Sequence, residues 1–436
     1  MSATWTRFWL YLYSKQYCIS SWHLDDTHHP AHFRITFFLS HRRQPPTSRP
    51  WTIRGTLLVI DPSALLVIII MVVFRMARKW WTRSDSTTLL KAQDLLLSSM
   101  VKSSFTSSSA AGINSVTFTS PHRSSPSANK TVVLTHGFGS GLGFFYANVD
   151  RLFEQDSSIG KVVLVDWLGM GGSERPSCQS RPLRGWSERS TSWCDSRFTP
   201  SQACKFFIDP FHSWIQATIP QKDEIVLMGH SLGGYLAARY VLEYPDTVQR
   251  LVLASPVGFP NKPNNVLVGS QLPTSFRVLD ALWSSNFTPQ QIVRAMGSTR
   301  GRQRTQQALR GRIPHLSGQD VELLADYLYH ITVAAPSGEF AMNSLLEPVV
   351  SAEIMGVFAR EPLYDLLPEI TSSTLQQVKV LYGDHDWMRP NEPSAREALN
   401  NLQQRTGIAA SVEVLPNAGH HLYLDNPLDF TRHIIQ

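Results

Sequence analysis

The chain has 436 residues, 42% of them hydrophobic and 17% charged. That is enough apolar material for a packed core, and it excludes a wholly disordered, collagen-like or coiled-coil protein. The net charge of +6 is concentrated at one end: residues 1–83 hold eleven Lys and Arg against Asp25, Asp26 and Asp61, and the rest of the chain has a slight excess of acid. The basic character therefore belongs to an N-terminal leader, and no nucleic-acid-binding domain is expected. Cys18, Cys178, Cys194 and Cys204 show neither a disulfide framework nor zinc-ligand spacing, so no metal site is expected.

The leader, residues 1–83, contains eleven uninterrupted apolar residues from Ala64 to Phe74. A spanning helix needs about 20 residues, so the run is a marginal membrane segment. Arg75, Arg78, Lys79 and Arg83 follow it, with Trp80 and Trp81 among them. Apolar run, aromatics and cations together are the pattern of an interfacial anchor. Two other readings stand beside it: a targeting peptide that is removed, or an over-extended gene model. Read from Met76, the segment ARKWWTRSDSTTLL is basic, rich in hydroxyls and poor in acids, and resembles a mitochondrial presequence. A mitochondrial location, associated with the inner membrane, is the expectation; endoplasmic reticulum or lipid droplet is the alternative. Residues 84–128 are expected to hold a Ser-rich linker, centred on 98–109, and the first strands.

From residue 115 onward, short β-branched runs predict strands at 115–119, 131–135, 161–166, 225–229, 250–255, 378–382 and 411–415. Most are continuously apolar, as strands buried on both faces must be. Predicted helices, including 203–217 and 232–244, alternate with them, which implies a mostly parallel sheet covered on both sides. Three motifs follow the C-terminal ends of strands, where open α/β sheets place their ligands. The first in chain order is His136-Gly137-Phe138-Gly139, whose Phe138 N–H is a candidate oxyanion donor. The second is Gly229-His230-Ser231-Leu232-Gly233, between a strand and a helix. Its small residues permit the tight turn that exposes a serine hydroxyl, with the Leu232 N–H as the other oxyanion donor. The third is an acid–base pair: Asp386 in Gly383-Asp384-His385-Asp386-Trp387 and His420 in Ala418-Gly419-His420-His421. The order Ser231, Asp386, His420 is that of α/β-hydrolases. Asp384 and His421 are the local rivals. The loop after the 250–255 strand, residues 256–262, offers no Asp or Glu in their place.

Between these core parts, residues 129–256 and 371–436, lies an insertion at 257–370. Helices are predicted there at 274–284, 289–298, 302–311 and 319–333, forming a cap over the serine. Phe276, Leu279, Leu282, Trp283, Phe287, Ile292 and Met296 are candidates to line an acyl tunnel or to build the cap's own core. No acid occurs between Asp280 and Asp320, while Arg294, Arg300, Arg302, Arg304, Arg310 and Arg312 do. A solvated helix face is one reading. An anionic partner is the other, since guanidinium forks suit phosphate.

The segments HGFGSGLGFF, VDWLGMGGSERP, GHSLGGYLAARYVLEYP, GDHDWM and AGHHLYLDNP together resemble the α/β-hydrolase-domain 4/5 family, in particular its fungal members, over roughly residues 80–436. The resemblance implies a cardiolipin-deacylase-like phospholipase or a lysophosphatidic acid acyltransferase that needs no cofactor. Its partners would be a glycerophospholipid and an anionic membrane surface. One branch of the family carries Asn at the nucleophile and has no hydrolase activity; this chain has Ser231. The resemblance marks Arg360 as a head-group residue; Arg300, Arg302 and Arg304 are head-group candidates from the charge of the arginine run alone. The resemblance also places an acyl-transfer His-x4-Asp motif on His420 and Asp425. Asp425 has a structural reading as well, because Asn426, Pro427 and Asp429 form a helix start beside it. A scaffold regulating another lipase, or a soluble carboxylesterase, is the alternative.

Overall fold

The computed structural model describes residues 81–121, 129–176, 199–268, 271–316, 318–351 and 354–436. The apolar run and the presequence-like start at Met76 lie outside the described residues. Trp81, read above as an interfacial aromatic, is buried. The Thr82 N–H next to it donates to the Arg294 carbonyl at 3.0 Å, which ties this segment to the insertion.

Helix α1 (Ser86–Met100) begins where the Asp85 carboxylate accepts the Thr88 N–H. Strands β1 (Phe105–Ala110), β2 (Ile113–Thr119), β3 (Lys130–Thr135), β4 (Ile159–Val165), β5 (Glu224–His230), β6 (Arg250–Ala254), β9 (Gln377–Gly383) and β10 (Ala409–Leu415) form one sheet in the order β1-β2-β4-β3-β5-β6-β9-β10. The first two pairings are antiparallel and the others parallel. All seven predicted strands are present. The Ser-rich stretch expected as a linker is instead the end of α1 and the edge strand β1, whose central serines face solvent.

Side chains alternate between two cores. Val133, Val163, Leu227 and Val380 point to one face, under α3 (Pro200–Thr218), α4 (Leu232–Glu243) and α9 (Glu392–Thr406). Val132, Leu134, Val226 and Met228 point to the other, under α1, α2 (Val149–Gln155) and α10 (Pro427–Ile435). Each such fully buried aliphatic contributes about 1.5–3 kcal/mol, so the central strands are a rigid base for the loops at their ends.

The insertion after β6 holds α5 (Thr274–Ser284), α6 (Pro289–Ala295), α7 (Ser298–Arg312) and α8 (Gly318–Val333). It is not purely helical: β7 (Leu346–Val350) and β8 (Met355–Ala359) pair as an antiparallel hairpin. Phe276 and Phe287 are buried in it, whereas Met296 is exposed. The arginine run is also less unbalanced than its sequence window. Arg294 is fully buried and grips both oxygens of Glu339 at 2.7 Å, and the Thr288 hydroxyl donates to the same carboxylate. Arg302 pairs with Asp326 and donates to His330 Nε2 at 3.1 Å, its guanidinium 4.3 Å from the Tyr329 ring centre. Both carboxylates come from beyond the acid-free window and meet the arginines only in three dimensions.

Candidate active site

Ser231 sits between β5 and α4 at φ 54° and ψ −116°, a conformation costly for a residue with a Cβ. The turn closes because its neighbours are glycines: a Cβ on Gly229 would collide with the Gly233 backbone, and one on Gly233 with the His136 carbonyl. The Ser231 N–H donates to the Ala254 carbonyl at 2.9 Å, fixing the elbow to β6.

His420 reaches this serine from the loop after β10. Its Nε2 is 3.2 Å from Ser231 Oγ, and its Nδ1 is 3.2 Å from Asp386 Oδ1. The structure thus brings together the three residues of the predicted order. Asp386 is buried and also accepts the Met388 N–H at 2.9 Å. Burial is the largest single influence and opposes its ionisation, but His420, the Ser255 hydroxyl and the Met388 N–H together outweigh it and hold the pKa below the usual carboxylate value. Asp384 does a different job. Its two oxygens accept the Asn417 and Ala418 N–H groups at 3.0 and 2.9 Å, joining the β9 loop to the β10 loop. His421 turns away from the serine and contacts the Tyr423 hydroxyl at 2.8 Å.

Two residues escaped the sequence reading. Ser255, at the end of β6, places its hydroxyl 2.7 Å from His420 Nδ1 and also supports the Asp386 charge. The signal for it is its place at a strand's C-terminal end, where a hydroxyl can serve the histidine as well as an acid can. His230 is buried beside the nucleophile, its Nε2 2.8 Å from the His420 carbonyl. That contact requires a proton on Nε2, so His230 clamps the backbone of the residue that faces Ser231. Burial first, then the nearby His420, push its pKa down to about 3.

The Gly137 backbone lies against the nucleophile: a Cβ there would be 2.9 Å from Ser231 Cβ. The loop carrying Phe138 is therefore immediately beside the elbow, and the Leu232 N–H is at the start of α4. His136 lies behind it, with Nε2 3.2 Å from Asp166. Asp166 accepts the Leu142 and Gly172 N–H groups and the Asn114 amide, each at 2.8 Å.

Asp425 Oδ2 accepts the Gly419 N–H at 2.8 Å, bracing the residue before His420. Burial raises its pKa. Asn426 caps α10 through the Asp429 N–H, as the helix-start reading expected. The predicted head-group arginines lie in the insertion. Arg360 pairs with Glu347 at 2.9 Å and donates to the Asn343 carbonyl. Arg300, Arg302 and Arg304 lie along α7, with Arg300 exposed. Among the described residues no His, Cys, Asp or Glu cluster is suited to a metal.

Residues 130–427 match the family described as the alpha/beta hydrolase fold. The chain belongs to the α/β-hydrolase family, in its domain 4/5 type. It is 33% identical over 332 residues to a probable 1-acylglycerol-3-phosphate O-acyltransferase of Oryza sativa subsp. japonica, covering 73% of this chain and 68% of that protein. It is 32% identical to the 1-acylglycerol-3-phosphate O-acyltransferase of Arabidopsis thaliana, covering 74% and 69%. A (lyso)-N-acylphosphatidylethanolamine lipase of Bos taurus is 28% identical, covering 68% and 75%. In this α/β-hydrolase, Ser231, Asp386 and His420 follow the ends of β5, β9 and β10.

Proposed function

We propose that this α/β-hydrolase is a serine enzyme acting on acyl esters of glycerophospholipids. The carrying observation is the unbroken contact from Asp386 through His420 to Ser231. Ser231 Oγ attacks the ester carbonyl while His420 Nε2 takes its proton. Asp386 orients the imidazole and stabilises the imidazolium. The Phe138 and Leu232 N–H groups receive the oxyanion. Collapse of the tetrahedral intermediate expels the alcohol, protonated by His420, and leaves Ser231 acylated. Water then releases the fatty acid, or a lysophospholipid hydroxyl accepts the acyl group. The names of the plant and bovine relatives support a lipid substrate and leave both acceptors in view. Arg300 and Arg310, exposed on α7, are the cap cations we assign to an anionic membrane surface.

The test is product analysis with purified protein given cardiolipin, phosphatidylethanolamine and lysophosphatidic acid, with and without acyl-CoA. Ser231→Ala should abolish turnover and labelling by a fluorophosphonate while the thermal midpoint is preserved. More than a tenth of wild-type turnover in that variant refutes the nucleophile, whereas neither turnover nor labelling in the wild type favours the scaffold alternative.

A further inference from the structure

We infer that the recess beside the Phe138 loop is a head-group pocket, taking the phosphate of a glycerophosphate ester on Arg175 and Gln290. The inference rests on the reading of Ser231 as the acyl-accepting nucleophile. The recess opens to solvent and holds about 340 Å³ of empty space, its open mouth included, and its lining includes Phe138, Gly139, Met170, Arg175, Gln290 and Glu339. Phe138 and Gly139 follow directly on Gly137, whose backbone packs against Ser231. The recess therefore opens within two residues of the site of acyl attack. In a glycerophospholipid three carbons separate the first acyl oxygen from the phosphate oxygen, so an ester held at Ser231 carries its phosphate only a short way off.

The charge of the recess has the sign such a phosphate needs. Glu339 is the one carboxylate in the lining, and both its oxygens are engaged by Arg294. Arg175 is left as the net positive group. Its Nη1 donates to the Gly169 and Ala335 carbonyls at 3.2 and 2.9 Å, and its Nη2 to the Gly171 carbonyl at 2.8 Å. These bonds fix the guanidinium and use three of its five N–H groups. The two others, on the neighbouring atoms Nε and Nη2, have no acceptor among the described residues. A pre-positioned guanidinium with two spare donors suits a phosphate better than a flexible ammonium does. Burial lowers its pKa to about 10, which leaves it charged at neutral pH.

Gln290 supplies an independent observation. It faces Gly139, and its Oε1 is buried without a hydrogen-bond partner. A buried amide left unpaired costs about 1–3 kcal/mol, so the protein keeps it there against a penalty that a bound ligand removes. The amide offers an N–H to a phosphate oxygen and a carbonyl to a glycerol hydroxyl. Arg360, by contrast, already has a carboxylate partner in Glu347.

The experiment uses the full chain and compares kcat/KM for a lysophosphatidate with that for the uncharged monoacylglycerol of the same acyl chain. Glycerol 3-phosphate and inorganic phosphate are tested as inhibitors. Gln290→Glu puts a carboxylate where the phosphate would lie without touching the Arg175 bonds that brace the loop. It should lower the ratio of the two kcat/KM values by about tenfold or more and weaken inhibition by glycerol 3-phosphate. Arg175→Lys, checked by its thermal midpoint, should shift the ratio the same way. An unchanged ratio in Gln290→Glu, or no inhibition of the wild type by glycerol 3-phosphate, overturns the inference. Inhibition by inorganic phosphate with no discrimination between the two esters makes this a free-anion site and also overturns it. If the wild type turns over neither ester and resists the fluorophosphonate, the reading of Ser231 has failed instead.

Discussion

Replacing Asp386 and Asp384 separately by Asn tests the assignment of the catalytic acid. Asp386 Oδ1 lies 3.2 Å from His420 Nδ1 and also accepts the Met388 N–H; an amide oxygen could keep both contacts, but it carries no charge to stabilise the imidazolium. An Asn there can turn its NH₂ to the ring and select the wrong tautomer. In a serine triad that change costs about 10⁴ in kcat, or about 5 kcal/mol of barrier. Ser255 moderates the expectation, because its hydroxyl, 2.7 Å from Nδ1, offers the ring proton a second acceptor. We therefore expect a loss of about 10³–10⁴ for Asp386→Asn, deepened when Ser255→Ala is added. Asp384→Asn keeps an acceptor for only one of the Asn417 and Ala418 N–H groups, but it takes no partner from His420, so turnover should fall far less than in Asp386→Asn. The assay is steady-state hydrolysis of a p-nitrophenyl ester together with the rate of fluorophosphonate labelling. If Asp384→Asn is the crippling variant, or Asp386→Asn keeps more than a tenth of the activity, the geometric argument is wrong.

Acid should destabilise the fold through His230. The unfolded chain takes up a proton near the ordinary histidine pKa, whereas burial pushes the folded-state value down to about 3. The stability is therefore complete above pH 6.5 and is lost as pH falls, by roughly 1.4 kcal/mol per unit until the folded group titrates. Urea midpoints at pH 7 and pH 5 should differ by the equivalent of about 2 kcal/mol from this residue, and His230→Gln should flatten the difference. Equal slopes in both proteins would contradict the assignment. Glu339→Gln should lower stability by about 3–5 kcal/mol, because it strands the fully buried Arg294, while Arg294→Met with Glu339→Leu should restore most of the loss in thermal denaturation. Asp425→Asn weakens the brace on Gly419, so hydrolysis and acyl transfer should fall in proportion. A selective loss of transfer would instead give Asp425 a chemical role.

How much of this was visible beforehand follows from where each interaction is encoded. β3, β5, β6 and β9 are buried on both faces, so apolar composition alone marked them. The elbow was visible because steric demands at Gly229 and Gly233 leave a local signature around Ser231. β1 was not, since an edge strand with its serines in water has the composition of a linker; only its pairing with β2, including Phe105 opposite Phe118, gives it away. The arginine run was only partly legible for a related reason. Counting charges along the chain takes sequence distance for spatial distance, and Arg294 finds its carboxylate 45 residues away in Glu339. That pair and the pairs of Arg302 with Asp326 and Arg360 with Glu347 give three of these arginines carboxylates of their own, while Arg300 stays exposed on α7. Arg175 had no such mark: it was one basic residue in a Gly-rich motif. Its significance depends on three carbonyls from Gly169, Gly171 and Ala335 that fix its guanidinium in the recess beside Phe138, and that arrangement exists only after the chain has folded.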